Sequence, residues 1–247
     1  MKTPCLAALA LFAVTTVCAQ EKEKKADKFD PSFTAKFAPA GLAVGKITFG
    51  GEYNYKHKNS VTLLIGLPFD KSRSVDFDNK TNTLTTSATS VMGGFRHYLG
   101  KKDMSGFYIE PYAKYVKAEA KGFLEDDLNG QPAKFDSRFS YKGFGVGLQL
   151  GVQFLIAKKV SLDFFLVGPE ANTIKLSTSA TDVYDNLPWS MADGQEAEKN
   201  IKDVLEDIPV IGKKTEVTVN TATKTVTANY KGFAPGFRFG GSIGFRF

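Results

Sequence analysis

Gly236-Phe-Arg-Phe-Gly-Gly-Ser-Ile-Gly-Phe-Arg-Phe247 closes the 247-residue chain and reads as a strand with two unlike faces. Phe237, Phe239, Ile243, Phe245 and Phe247 share one parity, while Arg238, Ser242 and Arg246 share the other. Successive side chains of a strand point to opposite faces, so one face is aromatic and the other basic.

The same period of two recurs upstream. Phe29, Phe33, Ala35 and Phe37 alternate with Asp30, Ser32, Thr34 and Lys36. Ile47, Phe49, Tyr53 and Tyr55 alternate with Lys46, Thr48, Glu52 and Asn54. Val61, Leu63, Ile65 and Leu67 form a third apolar face, and Val91, Phe95 and Leu99 a fourth, opposed by Ser90 and Arg96. Phe107, Ile109, Ala113 and Tyr115 oppose Tyr108, Glu110, Tyr112 and Lys114, with Pro111 marking a place where register can slip. Phe144, Val146, Leu148, Leu150 and Phe154 alternate with glycines and glutamines, and Val160, Leu162, Phe164 and Leu166 oppose Ser161 and Asp163. With the closing segment this makes eight strands.

Their connections differ in length. Tight basic turns fall at 56–59, 100–103 and 157–159, whereas long loops are expected at 70–87, 121–137 and 168–231. Short turns at one end and long loops at the other are the habit of outer-membrane barrels. The expected fold is therefore an all-β, eight-stranded antiparallel up-and-down transmembrane barrel over 29–247. One long extracellular loop at 171–230 carries a helix (190–207, stopped by Pro209) and a hairpin turning at 221–224.

A soluble barrel has the same period with apolar side chains inside. The inverted version is preferred for two reasons. Gly143, Gly145, Gly147 and Gly151 can make room for Tyr108 and Tyr112 in an eight-strand lumen. Tyr53, Tyr55, Phe95, Tyr98, Phe107 and Tyr115 are expected as an aromatic girdle near the tight turns. Glu52, Arg96, Glu110, Lys114, Asp163, Arg238 and Arg246 then face the lumen, where charges must pair. Arg238 and Arg246 are expected to meet Glu52, Glu110 or Asp163.

The N-terminus fits export. Met1-Lys2, the apolar run from Leu6 to Val14 and Ala19 form a signal peptide over 1–19, followed by a charged linker over 20–28. The apolar run is shorter than the ~20 residues of a spanning helix. Cys18 follows Val17 rather than the small residue a lipoprotein signal wants. Both cysteines, Cys5 and Cys18, are lost with the signal, which excludes disulfides and thiolate chemistry from the mature chain. Removing Lys2 takes the formal charge of +6 to 6 − 1 = +5, too scattered for a nucleic-acid footprint.

Phe49-Gly-Gly-Glu-Tyr-Asn-Tyr55, Gly93-Gly-Phe-Arg-His-Tyr-Leu99 and Gly106-Phe-Tyr-Ile-Glu-Pro-Tyr-Ala-Lys-Tyr115 resemble small Gram-negative outer-membrane β-barrel proteins of unknown function, in the OmpA-like eight-stranded class. The resemblance covers about 33–165 and the last strand. It implies a transmembrane barrel and brings no activity or catalytic residue. The terminal aromatics Phe245 and Phe247 resemble the signal read by barrel-assembly machinery.

Little points to chemistry. His57 and His97 lie at the tight-turn end, away from the outer leaflet where a lipid deacylase keeps its histidine, and two histidines make no metal site. The acidic groups at 76–78 and 125–127 lack calcium-loop spacing. No cofactor or metal is expected. The expected partners are outer-membrane lipid, the assembly machinery and an unidentified extracellular ligand, with the chain a monomer. The leading expectation is a non-enzymatic structural or binding barrel. The alternatives are a lipid-modifying enzyme using Glu52 and Glu110, and a narrow pore.

Overall fold

Among the described residues, alternation along the chain becomes ten strands: β1 (Ser32–Ala38), β2 (Lys46–Lys56), β3 (Asn59–Pro68), β4 (Lys71–Phe77), β5 (Lys80–Tyr98), β6 (Gly106–Leu128), β7 (Gln131–Ile156), β8 (Val160–Asp182), β9 (Glu216–Asn220) and β10 (Thr225–Arg246). One helix, α1 (Met191–Glu206), lies between β8 and β9, and a 3-10 helix (Pro39–Val44) joins β1 to β2. This computed structural model describes residues 29–247 apart from 78, 79, 101, 129, 186 and 207–209. The expected signal peptide (1–19) and linker (20–28) lie outside the described residues.

Every pairing is antiparallel. β1, β2, β3, β5, β6, β7, β8 and β10 form a ring of eight strands, closed by the pairs from Thr34↔Arg246 to Phe37↔Ile243. β4 continues the line of β3 past a break at 69–70 and pairs with β5, and β9 borders β10. Gly45 closes the 3-10 connection at φ 74°, and its carbonyl takes the Phe69 and Ala88 amides at 3.0 and 3.1 Å. A Cβ there would fall 2.3 Å from the Thr86 carbonyl oxygen.

The faces are inverted relative to a soluble barrel. In β1, Phe33 and Phe37 are 46 % and 39 % exposed while Thr34 and Lys36 are 0 % and 5 % exposed. Glu52, Arg96, Glu110, Gln149 and Asp163 are likewise buried inside the ring. Tyr108 and Tyr112 lie opposite Gly151 and Gly147 in the β6–β7 register. A Cβ on either glycine would sit 2.3 or 2.5 Å from the tyrosine ring, so these strands carry no side chain where the phenols cross them.

Several expectations change. The segments at 70–87, 121–137 and 168–231 are mostly strand: β6 and β7 run on until only residues 129–130 separate them, β8 reaches Asp182 and β10 begins at Thr225. The long loop shrinks from 171–230 to 183–224. Above the apolar band the outward face turns polar and the inner face mixes polar with apolar side chains, so the outward apolar row that signals a strand is lost although Thr- and Ser-rich segments such as 81–90 keep their β-propensity. Tyr98 leaves the expected girdle and is fully buried in the lumen. Tyr115 pairs with Val91 and Phe144, at the edge of the apolar band remote from the tight turns. Register does not slip at Pro111, which pairs with Leu148 in sequence with its neighbours.

The shift occurs in β8 instead. Gly168 pairs with Arg238 and Phe165 with Gly240, and on the other edge Val167 pairs with Leu150 and Phe165 with Gly151. Both neighbours thus see one extra residue in β8 at 166–167, a β-bulge. Below it Ser161 and Asp163 point inward; above it Glu170 and Asn172 do.

The tall strands β5 to β8 and β10, bordered by β4 and β9, rise past the shorter β1, β2 and β3 as a curved crown. Ile174, Leu176, Tyr230 and Ala234 line its inner face, and Ile211 of the loop packs against them. At the tip Trp189, just before α1, and Ala197 of α1 close on Leu128, Ala133 and Val226. The helix therefore caps the crown. Ser190 begins it as a reciprocal cap, its hydroxyl accepting the Asp193 amide at 3.2 Å while the Asp193 carboxylate accepts the Ser190 amide at 2.9 Å.

Candidate functional site

Arg96 is the centre of the lumen. Its Nε and Nη2 donate to Glu110 at 2.9 and 2.7 Å, and its Nη1 donates to Asp163 and Gln153, both at 2.9 Å. The same Nη1 lies 3.4 Å from Glu52, and the guanidinium stacks 3.7 Å above the Tyr108 ring. Lys36, from β1, donates to Asp163 at 2.9 Å and lies 2.6 Å from Glu52. Hydroxyls and amides fill the remaining lone pairs. Ser60 and Tyr98 donate to Glu52 at 2.5 and 2.6 Å, Tyr108 to Asp163 at 2.6 Å, and Gln149 to Glu110 at 2.7 Å; Thr62 also donates to Glu110. Buried charges persist only when paired and hydrogen-bonded in this way.

Two further layers complete the filling. On the tight-turn side, Met104 stands at φ 52°, fully buried against Tyr98 and Tyr108. Its carbonyl accepts Gln153 Nε2 at 3.0 Å and its sulfur the Ser32 hydroxyl at 3.3 Å, so the turn after β5 folds inward as a stopper. On the crown side Glu170 accepts Tyr112 at 2.7 Å and pairs with Lys114. Between Arg96 and Arg238 only a void of about 10 Å³ remains, near the size of one water.

Of the predicted lumen residues, Glu52, Arg96, Glu110 and Asp163 meet in one cluster, and Lys114 lies one layer higher on Glu170. Arg238 faces inward but meets no acid within ion-pair distance among the described residues; it lies over Phe165 and Tyr112 at 4.5 and 5.4 Å and touches the Met92 sulfur. Gly240, two residues on, leaves open the space that the Phe165 ring occupies. Arg246 is half-buried at the ring's end and joins no ion pair among the described residues. Both corrections have one cause: the acids lie deep enough to be satisfied by Lys36 and Arg96 first. Phe245 and Phe247 are 44 % and 75 % exposed, with their rings edge to face at 5.1 Å.

Three contributors escaped the sequence reading. Lys36 stood on the polar face of β1, and its parity alone could have enrolled it. Glu170 lies beyond the β8 bulge, where a parity count from Asp163 points it outward. Met104 belongs to a turn and has no periodicity. Among the described residues no three His, Asp or Glu side chains gather as a metal group. His57 contacts Asp103 at 3.1 Å and His97 contacts Asn59 at 2.7 Å, both at the tight-turn end.

The crown tip holds a second charged cluster. Lys224 donates to Asp185 at 2.7 Å and lies 3.1 Å from Asp182. Asp182 also accepts Trp189 Nε1 at 3.1 Å and the amides of Tyr184 and Lys134 at 2.9 and 3.2 Å. Burial alone would raise the Asp182 carboxyl, but these donors outweigh it and hold it below the ordinary value. Burial would lower Lys224, and the two carboxylates outweigh that and hold it high.

No family model matches the chain, and no curated protein does. Among solved structures it is similar to the crystal structure of Acinetobacter baumannii CarO, at 13 % identity and a TM-score of 0.37, over 87 % of this chain and 96 % of that one. A likeness at that score lends no residue of this chain a role.

Proposed function

We propose that this chain is an integral outer-membrane protein, an eight-stranded transmembrane barrel with a filled lumen and a structural or ligand-binding role exercised through its crown. One observation carries the reading: the inverted faces. Phe107 to Tyr115 on β6 puts Phe107 and Tyr115, 63 % and 41 % exposed, at opposite edges of an outward apolar band. Those nine residues match the ~9–11 that a tilted strand needs to cross a bilayer. Water could not hold such a band on a monomer, since contiguous exposed apolar patches of that extent mark membrane or partner surfaces.

The filled lumen supports a non-conducting barrel, and the burial of Glu52 and Glu110 against Arg96 and Lys36 supports a non-enzymatic one. Catalytic carboxylates must meet a substrate, and both of these are fully enclosed. Fractionation tests the reading. The mature protein is expected in the outer-membrane fraction, released by detergent alone; recovery in the detergent-free periplasmic extract overturns it. Planar bilayers carrying the protein are expected to stay silent, and steady salt-dependent conductance would restore the pore reading.

A further inference from the structure

The register brings four lysines into one row. Lys117 pairs with Lys142, Lys142 with Lys175, and Lys175 with Lys231, on the adjacent strands β6, β7, β8 and β10. All four share the parity of the outward residues one row lower, Tyr115, Phe144, Thr173 and Phe233, so they stand on the outer surface. Lys142, Lys175 and Lys231 are exposed and Lys117 is half-buried. At the spacing of adjacent strands the row runs roughly 14 Å.

Like charges directly opposite each other on neighbouring strands destabilise a sheet. Only Lys117 has an acid, Glu119 at 2.8 Å; the other three have no ion-pair partner among the described residues. Four residues further along β6 and β7 come Lys121 and its register partner Arg138. In these rows six cations face Glu119 and Asp136, which accepts Arg138 at 3.1 Å. The row therefore lacks the counter-charge that its geometry calls for.

Its position supplies the rest. Toward the tight turns the row borders the apolar band. Toward the crown it borders an outward hollow of about 910 Å³ whose lining mixes the hydroxyls of Thr85, Ser87, Ser140 and Ser179 with Lys121 and Arg138 and with the carboxylates Asp70, Glu119 and Asp136. An uncompensated lysine row between an apolar wall and a hollow of hydroxyls and carboxylates, the hydrogen-bonding groups that hold a sugar, matches a sugar that carries phosphate and is attached to acyl chains.

We infer that this face is a binding site for the headgroup of a phosphorylated glycolipid in the outer leaflet, its phosphates on the Lys142–Lys175–Lys231 row and its sugar in the adjoining hollow. This rests on the outer-membrane reading. Acyl chains lie along Phe144 and Phe233, and the phosphates neutralise the row.

The test uses full-length mature protein in a neutral detergent, with native mass spectrometry reading lipid retention. Three probes are compared: a bis-phosphorylated acyl disaccharide, the same lipid dephosphorylated, and phosphatidylglycerol. Wild type is expected to retain the phosphorylated disaccharide best. Lys142→Gln/Lys175→Gln/Lys231→Gln together are expected to lower that retention at least about tenfold, and added salt to lower it further. A control removing Lys56, Lys158 and Lys159 at the tight turns is expected to keep it. Equal retention of the phosphorylated and dephosphorylated lipids, or an unaffected triple variant, overturns the site. Retention of phosphatidylglycerol equal to that of the disaccharide overturns the assignment to a glycolipid. Insertion into phosphatidylcholine vesicles, read by protease protection, isolates the membrane reading: failure there removes both proposals, whereas insertion without phosphate preference removes this one alone.

Discussion

Lys36 and Asp163 lie 127 positions apart in sequence and meet at 2.9 Å. Lys36 belongs to β1 and Asp163 to β8, on opposite sides of the β1–β10 closure, and Lys36 also holds Glu52 of β2 at 2.6 Å. The interior charge cluster thus straddles the line where the ring's first and last strands join.

Removing that link leaves two buried carboxylates under-compensated. Lys36→Met is expected to destabilise the barrel by about 3–5 kcal/mol, seen as a lower urea midpoint for the heat-modifiable gel shift in vesicles. Adding Asp163→Asn is expected to recover part of the loss. A double variant as weak as the sum of the singles would show that the two groups act independently.

The stopper at the tight-turn mouth separates stability from permeability. Met104→Ala removes a fully buried side chain and is expected to cost about 2–4 kcal/mol. The Arg96 layer stays in place, so planar-bilayer recordings of this variant are expected to remain silent; a steady current would place the barrier at Met104 instead.

Much of the barrel was legible because lipid-type inversion writes a strong pattern: Phe33, Thr34, Ala35 and Lys36 announce their faces in sequence order. The pattern reports contrast between faces, so it goes silent at 81–90, where Thr, Ser and Asn sit on both sides and the strand continues unannounced. The interior cluster was legible in part for a related reason. Parity enrols Glu52, Arg96, Glu110 and Asp163, but it cannot decide which cation is near enough to pair. That is a matter of depth along the barrel, and it gave Lys36 the role expected of Arg238 and Arg246.

Close approach of Tyr108 to β7 yields a steric prediction. Gly151→Ala places a methyl 2.3 Å from the phenol ring and is expected to cost about 1–3 kcal/mol. Pairing it with Tyr108→Leu removes the ring contact and leaves that with the Phe164 carbonyl oxygen at 2.7 Å, so the double variant is expected to be less impaired than the two single losses added together, by the same gel-shift assay.

At the crown tip the sole tryptophan, Trp189, reports on the cap. Asp182 is held low, so its contribution is complete above the unfolded value of about 3.9 and fades as pH falls through the folded one. Lys224 is held high, so its contribution is complete below about 10.4 and fades as pH rises through its folded value. Trp189 emission is expected to be constant between those limits and to shift red in stronger acid, while the barrel gel shift persists. Asp182→Asn is expected to loosen the cap by about 2 kcal/mol and show the red shift at neutral pH; unchanged emission would separate the cap from this carboxylate.

The extra residue at 166–167 in β8 acts as a phase shifter. Its neighbours β7 and β10 keep one parity throughout, so the strand between them is read in one frame below the bulge and in the other above it. Deleting Leu166 would force a choice: either Ser161 and Asp163 turn out toward the apolar band, or Glu170 and Asn172 turn out beside Phe144 and Phe233. A one-residue deletion in mid-strand would act like an inside-out exchange of half a strand. The same residue lets floor and crown be varied independently, provided that any graft is joined at the shift itself.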